Sequence, residues 1–191
     1  NWKPQPSGDD MTMLNVPTGP STQLETCAFL FLTAINQAKE RVWISTPYFV
    51  PDQQIKSALA LAVLRGVDVR ILIPEKTDSK LIDMSHLGIM GEMDGTGVKV
   101  ISYKKGFIHQ KVMLVDDQYS FVGTANFDNR SFRLNFEITI LVDDKDFAQK
   151  TEDMLNVDFG FAETVPAGTY SNSNYIKRLF ARAALLLSPI Q

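Results

Sequence analysis

The chain has 191 residues, of which 45% are hydrophobic and 21% charged, and its formal net charge is −3. These values are typical of a globular protein and exclude a disordered or fibrous class, while the slightly acidic balance disfavours a protein built mainly to grip nucleic acid. The single cysteine, Cys27, excludes an internal disulfide framework, and the sequence has no His/Cys cluster of the kind that binds structural zinc.

The first 20 residues are rich in proline and glycine and begin with Asn1 rather than Met. We interpret 1–20 as a linker from a preceding part of a longer protein, and 21–191 as one domain. No run of 18 or more apolar residues occurs, and the start lacks the basic-then-apolar pattern of a signal peptide. The sequence therefore predicts no membrane-spanning helix.

After this linker, apolar residues recur at helical spacing over about 21–40. Ser21 or Thr22 can cap this helix, with Glu25 placed for a capping box. Strands and helices then alternate, which indicates a partly parallel sheet; the strands are predicted at 41–45, 67–73 and 99–103, and the helices at 52–65 and 80–93.

Beyond Gln110, three short strands follow without intervening helices, and we expect them to pair as neighbours at 111–115, 120–122 and 137–142. A helix capped by Asp144 or Asp146 and running to about 156 comes next. The last predicted helix is capped by Ser173 or Asn174 and ends near 187. The sequence thus predicts an α/β fold, in which a mixed β-sheet carries helices on its faces.

One cluster of polar residues carries the chemistry: His109-x-Lys111, four residues, Asp116, six residues, then Gly123-Thr124-x-Asn126. Side chains two apart on a strand share a face, so His109 and Lys111 should lie side by side. This places a nucleophile beside a fixed positive charge.

An attack on a phosphodiester builds negative charge on the non-bridging oxygens, which Lys111 and the Asn126 amide can stabilise. Gly123 would let the backbone approach the phosphate closely, and the Thr124 hydroxyl would donate a further hydrogen bond, so that the loop completes an oxyanion pocket. No metal ligand set or cofactor motif accompanies these residues. The pattern predicts chemistry at a phosphodiester.

A reactive imidazole needs a partner that fixes its tautomer, and we assign this role to Glu137, a carboxylate in an otherwise apolar strand. Asp116 is grouped with the catalytic residues by its spacing, but we expect it to tie the strand and the loop together. His86 has no lysine two residues on and is interpreted as structural. Cys27 and Trp43 are expected in the core.

The segment 107–136 resembles the motif of the phospholipase D superfamily, with Thr124 where that family commonly has serine. Three further stretches, at 45–52, 65–74 and 129–137, resemble the second half of bacterial cardiolipin synthases. The resemblance covers most of the chain, more weakly after Asn156. It implies a phospholipase D-like α-β-α sandwich, with helices on both faces of the mixed sheet.

In that family two such motifs meet at one active site; one histidine attacks phosphorus to form a phosphohistidine, and the other protonates the leaving alcohol. This chain carries one copy, so the resemblance implies a half-site whose complement is a missing N-terminal half or a homodimer mate. It also implies that two phosphatidylglycerols become cardiolipin and glycerol without a cofactor. By analogy with two-motif relatives, His109 is provisionally the acid/base, and the chain alone is expected to be inactive.

The resemblance further implies a parent protein in the bacterial cell membrane, with phosphatidylglycerol and anionic membrane lipid as partners. The last helix combines apolar residues with Lys177, Arg178 and Arg182, so it can lie on an anionic bilayer or pack on the domain core. The alternative function is a single-motif homodimeric nuclease or phosphodiesterase of the same superfamily. The acidic balance and the lack of an aromatic and basic stacking strip make nucleic acid the less favoured partner.

Overall fold

A computed structural model describes residues 10–21 and 24–190. The strands are β1 (Thr12–Thr18), β2 (Arg41–Ser45), β3 (Phe49–Val50), β4 (Asp68–Pro74), β5 (Lys99–Tyr103), β6 (Val112–Val115), β7 (Tyr119–Gly123), β8 (Phe127–Asp128), β9 (Glu137–Asp143) and β10 (Ala162–Thr164). The helices are α1 (Thr26–Gln37), α2 (Gln53–Leu64), α3 (Lys80–Met93), α4 (Asn129–Arg133), α5 (Lys145–Phe159) and α6 (Tyr175–Leu186), and a 3₁₀ turn follows at Ser188–Ile190.

Eight strands form one mixed sheet in the order β1-β9-β7-β6-β2-β4-β5-β10, while β3 and β8 pair separately. The strands β2, β4 and β5 run parallel because helices connect them, whereas β6, β7 and β9 are antiparallel neighbours. Both predictions, the partly parallel half and the pairing of the three short strands, are confirmed. The α/β class is confirmed with them.

Helices cover both faces of the sheet, and the alternation of side chains along the central strands shows why. In β6, Met113 and Val115 join the larger core beneath α1 and α2, whereas Leu114 joins a smaller cluster with Trp43 and α5 on the opposite face. Trp43 is almost fully buried, and its indole Nε1 donates to Asp68 Oδ2 at 3.0 Å. Its predicted core position is confirmed.

The structure corrects the predicted N-terminal region. Thr12–Thr18 is not a linker: it forms the edge strand β1, which pairs along its whole length with β9. Residues 1–9 lie outside the described residues. Helix α1 begins at Thr26, so it is shorter than predicted, and Glu25 makes no side-chain cap. The Glu25 carboxylate instead accepts a hydrogen bond from Arg133 Nε at 2.7 Å, which ties the start of α1 to α4.

Two residues interpreted as structural are buried. His86 lies inside α3, where its Nε2 accepts a hydrogen bond from the Phe49 backbone N–H at 3.0 Å, and burial lowers its pKa to about 4. A neutral imidazole is therefore part of the core. Cys27 is fully buried, and burial raises the pKa of its thiol to about 12, so the thiol is an inert core group.

Candidate active site

One edge of the sheet gathers the motif residues. Lys111 precedes β6, Gly123 ends β7 and Glu137 begins β9, and the antiparallel register of these strands brings all three positions to the same edge. The parallel strands β2 and β4 end at this edge as well, because Ser45 pairs with both Leu72 and Val112. Ligand sites in open α/β sheets form at such carboxyl ends.

The side chains of His109 and Lys111 lie together at this edge. Lys111 Nζ is 3.3 Å from both His109 Nδ1 and His109 Nε2, and it donates to the His109 carbonyl oxygen at 3.0 Å. Between them, Gln110 is held by Ser45 Oγ and Asp158 Oδ2. The prediction that His109 and Lys111 lie side by side is confirmed.

The two groups differ in their surroundings. His109 is exposed to solvent, whereas Lys111 is half-buried. Partial burial lowers the pKa of the Lys111 ammonium, and the carboxylates of Glu137 and Asp128 oppose this effect. A half-buried cation beside an exposed imidazole offers electrostatic attraction to an anion that arrives from solvent.

Aromatic residues support the imidazole from one side. The Phe107 ring centroid lies 5.4 Å from that of His109 and 6.5 Å from that of Tyr48. The Tyr48 hydroxyl donates to Asp78 Oδ1 at 2.6 Å, and burial together with this carboxylate raises the pKa of Tyr48 to about 12. The phenol therefore stays neutral at physiological pH.

Gly123 and Thr124 are placed by their contacts with β9. A Cβ added at Gly123 would lie 2.2 Å from the Ile138 carbonyl oxygen, so the close approach of two strands requires glycine here. Thr124 Oγ1 accepts from the Ile138 N–H at 3.0 Å, which leaves the hydroxyl proton available to a ligand. Packing against the neighbouring strand thus requires glycine here, and the predicted approach of the backbone to phosphate stays a prediction.

Asn126 lies beside a buried carboxylate. Its backbone N–H donates to Ser131 Oγ at 3.1 Å, and its side chain hydrogen-bonds to Asp128. Among the described residues its Oδ1 atom is buried and has no hydrogen-bond partner. The amide is thus engaged inside the protein rather than presented to solvent.

Glu137 does not contact His109 in this structure. Its Oε1 accepts from Asn135 Nδ2 at 3.1 Å, and no hydrogen bond among the described residues joins it to the imidazole. Its carboxylate acts on Lys111, where its charge opposes the burial that lowers the pKa of the ammonium. The role of Glu137 in fixing the tautomer of His109 stays a prediction.

Asp116 lies at the far end of β6 from His109 and does not join the site. Its carboxylate accepts hydrogen bonds from the backbone N–H groups of Lys39, Glu40 and Arg41 at 2.8–3.2 Å. Asp116 also adopts a left-handed backbone conformation with φ of 55°. Its grouping with the catalytic residues is corrected, while its expected role in tying strand and loop together is confirmed.

The site is open to solvent on the side of His109. The cavity beside Lys111 and Gly123 measures about 10 Å³, which is close to the space of a single water molecule. A larger cavity of about 690 Å³ lies between β1 and α1, at the Asp116 end of the sheet, and has neither His109 nor Lys111 in its lining. The predicted oxyanion pocket, which the loop of Gly123 and Thr124 would complete, stays a prediction.

Sequence reasoning missed Asp128. It is buried and caps α4 through the Ser131 N–H at 2.7 Å, and burial raises the pKa of its carboxyl group. The signal was present, because Asp is a favoured N-cap residue, but α4 has only five residues and shows no helical period. Phe107 and Tyr48 were missed as well, since their approach to His109 depends on tertiary contacts.

Two further structural features bear on the chemistry. Across the described residues, no group of three or more His, Cys, Asp or Glu side chains is arranged to hold a metal ion. Within the same residues, no helix combines the length and the apolar character needed to cross a bilayer.

The family model for the phospholipase D-like domain of cardiolipin synthases matches residues 31–158, which include the whole His109–Asn126 motif. The chain belongs to this family. Curated cardiolipin synthases A from Pseudomonas putida (strain W619) and Pseudomonas entomophila (strain L48) are each 49% identical to it over 173 residues. The match covers 91% of the chain but 36% of each relative, so the chain spans about a third of their length.

Solved structures agree on the phospholipase D-like fold. The phosphatidylserine synthase of Haemophilus influenzae Rd KW20 superposes with a TM-score of 0.74 at 17% identity, over 95% of this chain and 48% of that one. Nuc, a phospholipase D family member from Salmonella typhimurium, superposes with a TM-score of 0.69 at 21% identity, over 82% of this chain and 99% of that one. The predicted α-β-α sandwich is confirmed.

Proposed function

We propose that this chain forms one half of an active site that makes cardiolipin. The reaction transfers a phosphatidyl group from one phosphatidylglycerol to the hydroxyl of another and releases glycerol. The observation that carries the proposal is the contact of the Lys111 ammonium with the exposed His109 ring, in a chain of the cardiolipin synthase family. Such a pair supplies a group for phosphorus chemistry and a charge for the anionic diester.

The roles follow the two halves of the reaction. The nucleophilic histidine of the other half-site would attack phosphorus and break its bond to the glycerol oxygen, while His109 gives that oxygen a proton. His109 would then take the proton of the acceptor hydroxyl as this oxygen attacks the phosphohistidine. No metal or cofactor takes part in these steps.

Lys111 would stabilise the non-bridging oxygens as charge builds on them. The Thr124 hydroxyl would donate to the same group, since its oxygen accepts from the Ile138 N–H and its proton is still available as a donor. Asn126 would exchange its contact with Asp128 for one with phosphate. Glu137 remains our candidate for orienting an imidazole once the two half-sites meet.

The exposure of the site supports a half-site. His109 is exposed to solvent, so a phosphodiester bound there would meet water unless a second surface closed over it. We propose that this surface is an N-terminal half with the second motif, or a second copy of the chain. We further propose that the parent protein acts at the bacterial cell membrane, where phosphatidylglycerol and other anionic lipids are its partners.

An assay of the purified parent protein in detergent micelles that contain labelled phosphatidylglycerol tests the proposal. We expect labelled cardiolipin and free glycerol in equal amounts, and an acid-labile phosphatidyl adduct on histidine after a rapid quench. A parallel assay with single-stranded DNA separates the alternative nuclease function, which the acidic net charge disfavours. Hydrolysis of DNA without any lipid product would overturn the proposal, and so would full activity from a demonstrated monomer of this chain.

A further inference from the structure

Helix α6 presents an uncovered apolar face to the outside. Five large apolar side chains on it are between 54% and 81% exposed: Tyr175, Ile176, Leu179, Phe180 and Leu186. At 100° per residue, all of them fall within one side of the helix. An apolar face of this kind on a surface helix indicates a binding surface.

The opposite face of α6 already has a partner, so the exposed face is not the one that holds the helix to the domain. Ala181 and Ala184 are buried against α3. Leu185 lies over Gly88 so closely that a Cβ there would come within 2.7 Å of the leucine side chain. The core contact and the exposed apolar face are therefore two separate surfaces of one helix.

Positive charge borders the exposed face on both sides. On the helical projection, Arg178 and Arg182 lie along one flank and Lys177 along the other. No Asp or Glu occurs after Glu163, although the chain as a whole has a net charge of −3. Long basic side chains beside an apolar stripe can reach the headgroups while the stripe enters the acyl region.

The chain that follows α6 is connected to the active-site segment. Asn129 Nδ2 donates to the Ser188 carbonyl oxygen at 2.9 Å, and Asn129 begins α4, three residues after Asn126. A surface contacted by α6 is thus held at a fixed position relative to the catalytic loop.

We propose that the exposed face of α6 lies on an anionic lipid bilayer, with Lys177, Arg178 and Arg182 at the headgroups. The charge pattern favours a bilayer over a second copy of the chain or another protein. A purely apolar partner surface would leave the flanking cations without negative charges to pair with. The inference deepens the proposed function, since it states which surface brings the active site to its lipid. Its test does not depend on turnover.

The first measurement places a reporter on α6. Leu179→Cys is labelled with an environment-sensitive fluorophore, and the label goes to this position alone because Cys27 is fully buried. We expect a blue shift with vesicles of equal phosphatidylglycerol and phosphatidylcholine, and a much smaller one with phosphatidylcholine alone. Leu61→Cys, at an equally exposed leucine in α2, is the matched control and should show no shift.

The second measurement is vesicle co-sedimentation at low salt. Phe180→Glu should weaken binding at least about tenfold, since it removes an aromatic group that would enter the bilayer and adds a charge that anionic lipid repels. Lys177→Gln should weaken it about fivefold, the effect of one cation near an anionic surface. The controls Leu64→Glu and Lys150→Gln, the latter on α5 across the sheet, should bind normally. His109→Ala should also bind normally, which separates this inference from the proposed activity.

Three results would overturn the inference. One is equal binding to both kinds of vesicle, and another is a Phe180→Glu variant that binds as well as the unaltered chain. The third is a chain that does not bind vesicles but self-associates, with Phe180→Glu abolishing the self-association, because the face would then join two copies. Circular dichroism and the melting temperature confirm that each variant is folded.

Discussion

Lys111 Nζ lies at the same distance, 3.3 Å, from both ring nitrogens of His109. Any phosphate group in contact with the imidazole is therefore also within reach of the ammonium. Because His109 is exposed and Lys111 is half-buried, the substrate meets the imidazole at the surface while the cation acts from below. Replacement of the two side chains should therefore have different effects on kcat and on stability.

Replacement of His109 should abolish the chemistry and preserve the fold. In the parent protein, His109→Ala is expected to lower kcat at least about 100-fold, the low end for loss of a general acid or base. The melting temperature should change little, because the exposed ring contributes little to packing. Lys150→Gln on α5 serves as the active control. A kcat within a factor of two of the unaltered enzyme would remove His109 from the mechanism.

Replacement of Lys111 tests charge stabilisation. Lys111→Gln should lower kcat by about 10²–10³-fold, as is typical when one group that stabilises a developing oxyanion is lost. Lys111→Arg keeps the charge and should recover part of the rate. Since a half-buried ammonium is costly to desolvate, Lys111→Gln should leave the free energy of unfolding unchanged or raise it. A glutamine variant that equals the arginine variant in kcat would contradict this role.

Asp116 should matter for stability and not for chemistry. Asp116→Ala removes the acceptor of three backbone N–H groups and strains a position with φ of 55°, so it should cost at least about 2 kcal/mol in the free energy of unfolding. Asp116→Asn should cost less, because asparagine tolerates this conformation and keeps one acceptor. Urea titration measures both variants, with the exposed Asp117→Ala as control. A loss of kcat per folded molecule in Asp116→Asn would place this residue in the mechanism after all.

Much of the fold was predictable because its elements follow local rules. Helix α3 was predicted at its exact bounds despite Gly88 and Gly91, and the structure shows why these glycines are tolerated: the side chains of Leu185 and Tyr170 press against them. Strand β1 was missed because its residues are mostly exposed and show no buried alternation. Its formation depends on pairing with β9, a contact between distant parts of the chain.

Only the contacts between residues of one strand could be predicted from the sequence of the site. His109 and Lys111 are two residues apart, so strand geometry placed them together. Glu137 and Asn126 come from other segments, and their partners, Asn135 and Asp128, follow from packing that a linear pattern does not encode. The same holds for the open shape of the site, which is a property of the whole edge of the sheet.

Gly123 should be intolerant of even one methyl group. In Gly123→Ala the new Cβ would meet the Ile138 carbonyl oxygen at 2.2 Å and Thr139 Cα at 2.9 Å, so β7 and β9 would have to separate beside the site. We expect a cost of about 1–3 kcal/mol in unfolding free energy together with a fall in kcat. Gly160→Ala at the end of α5, with φ of −63°, is the matched control. A Gly123→Ala variant with full stability and activity would contradict this prediction, because β7 and β9 would then accommodate the methyl group without cost.

His86 should make stability depend on pH. Its pKa is lowered to about 4 in the folded protein, mainly by burial and against the attraction of Asp83, whereas it is 6.5 in the unfolded chain. Between these values the unfolded chain binds more protons, so the free energy of unfolding falls as pH drops from about 6.5 to 4 and levels off below. The His86 contribution over this range is on the order of 3 kcal/mol. His86→Gln offers an acceptor to the Phe49 N–H without titrating. The difference between the pH profiles of the unaltered protein and His86→Gln isolates the contribution of this residue. Parallel profiles would contradict the prediction, because protonation of His86 would then not destabilise the folded protein.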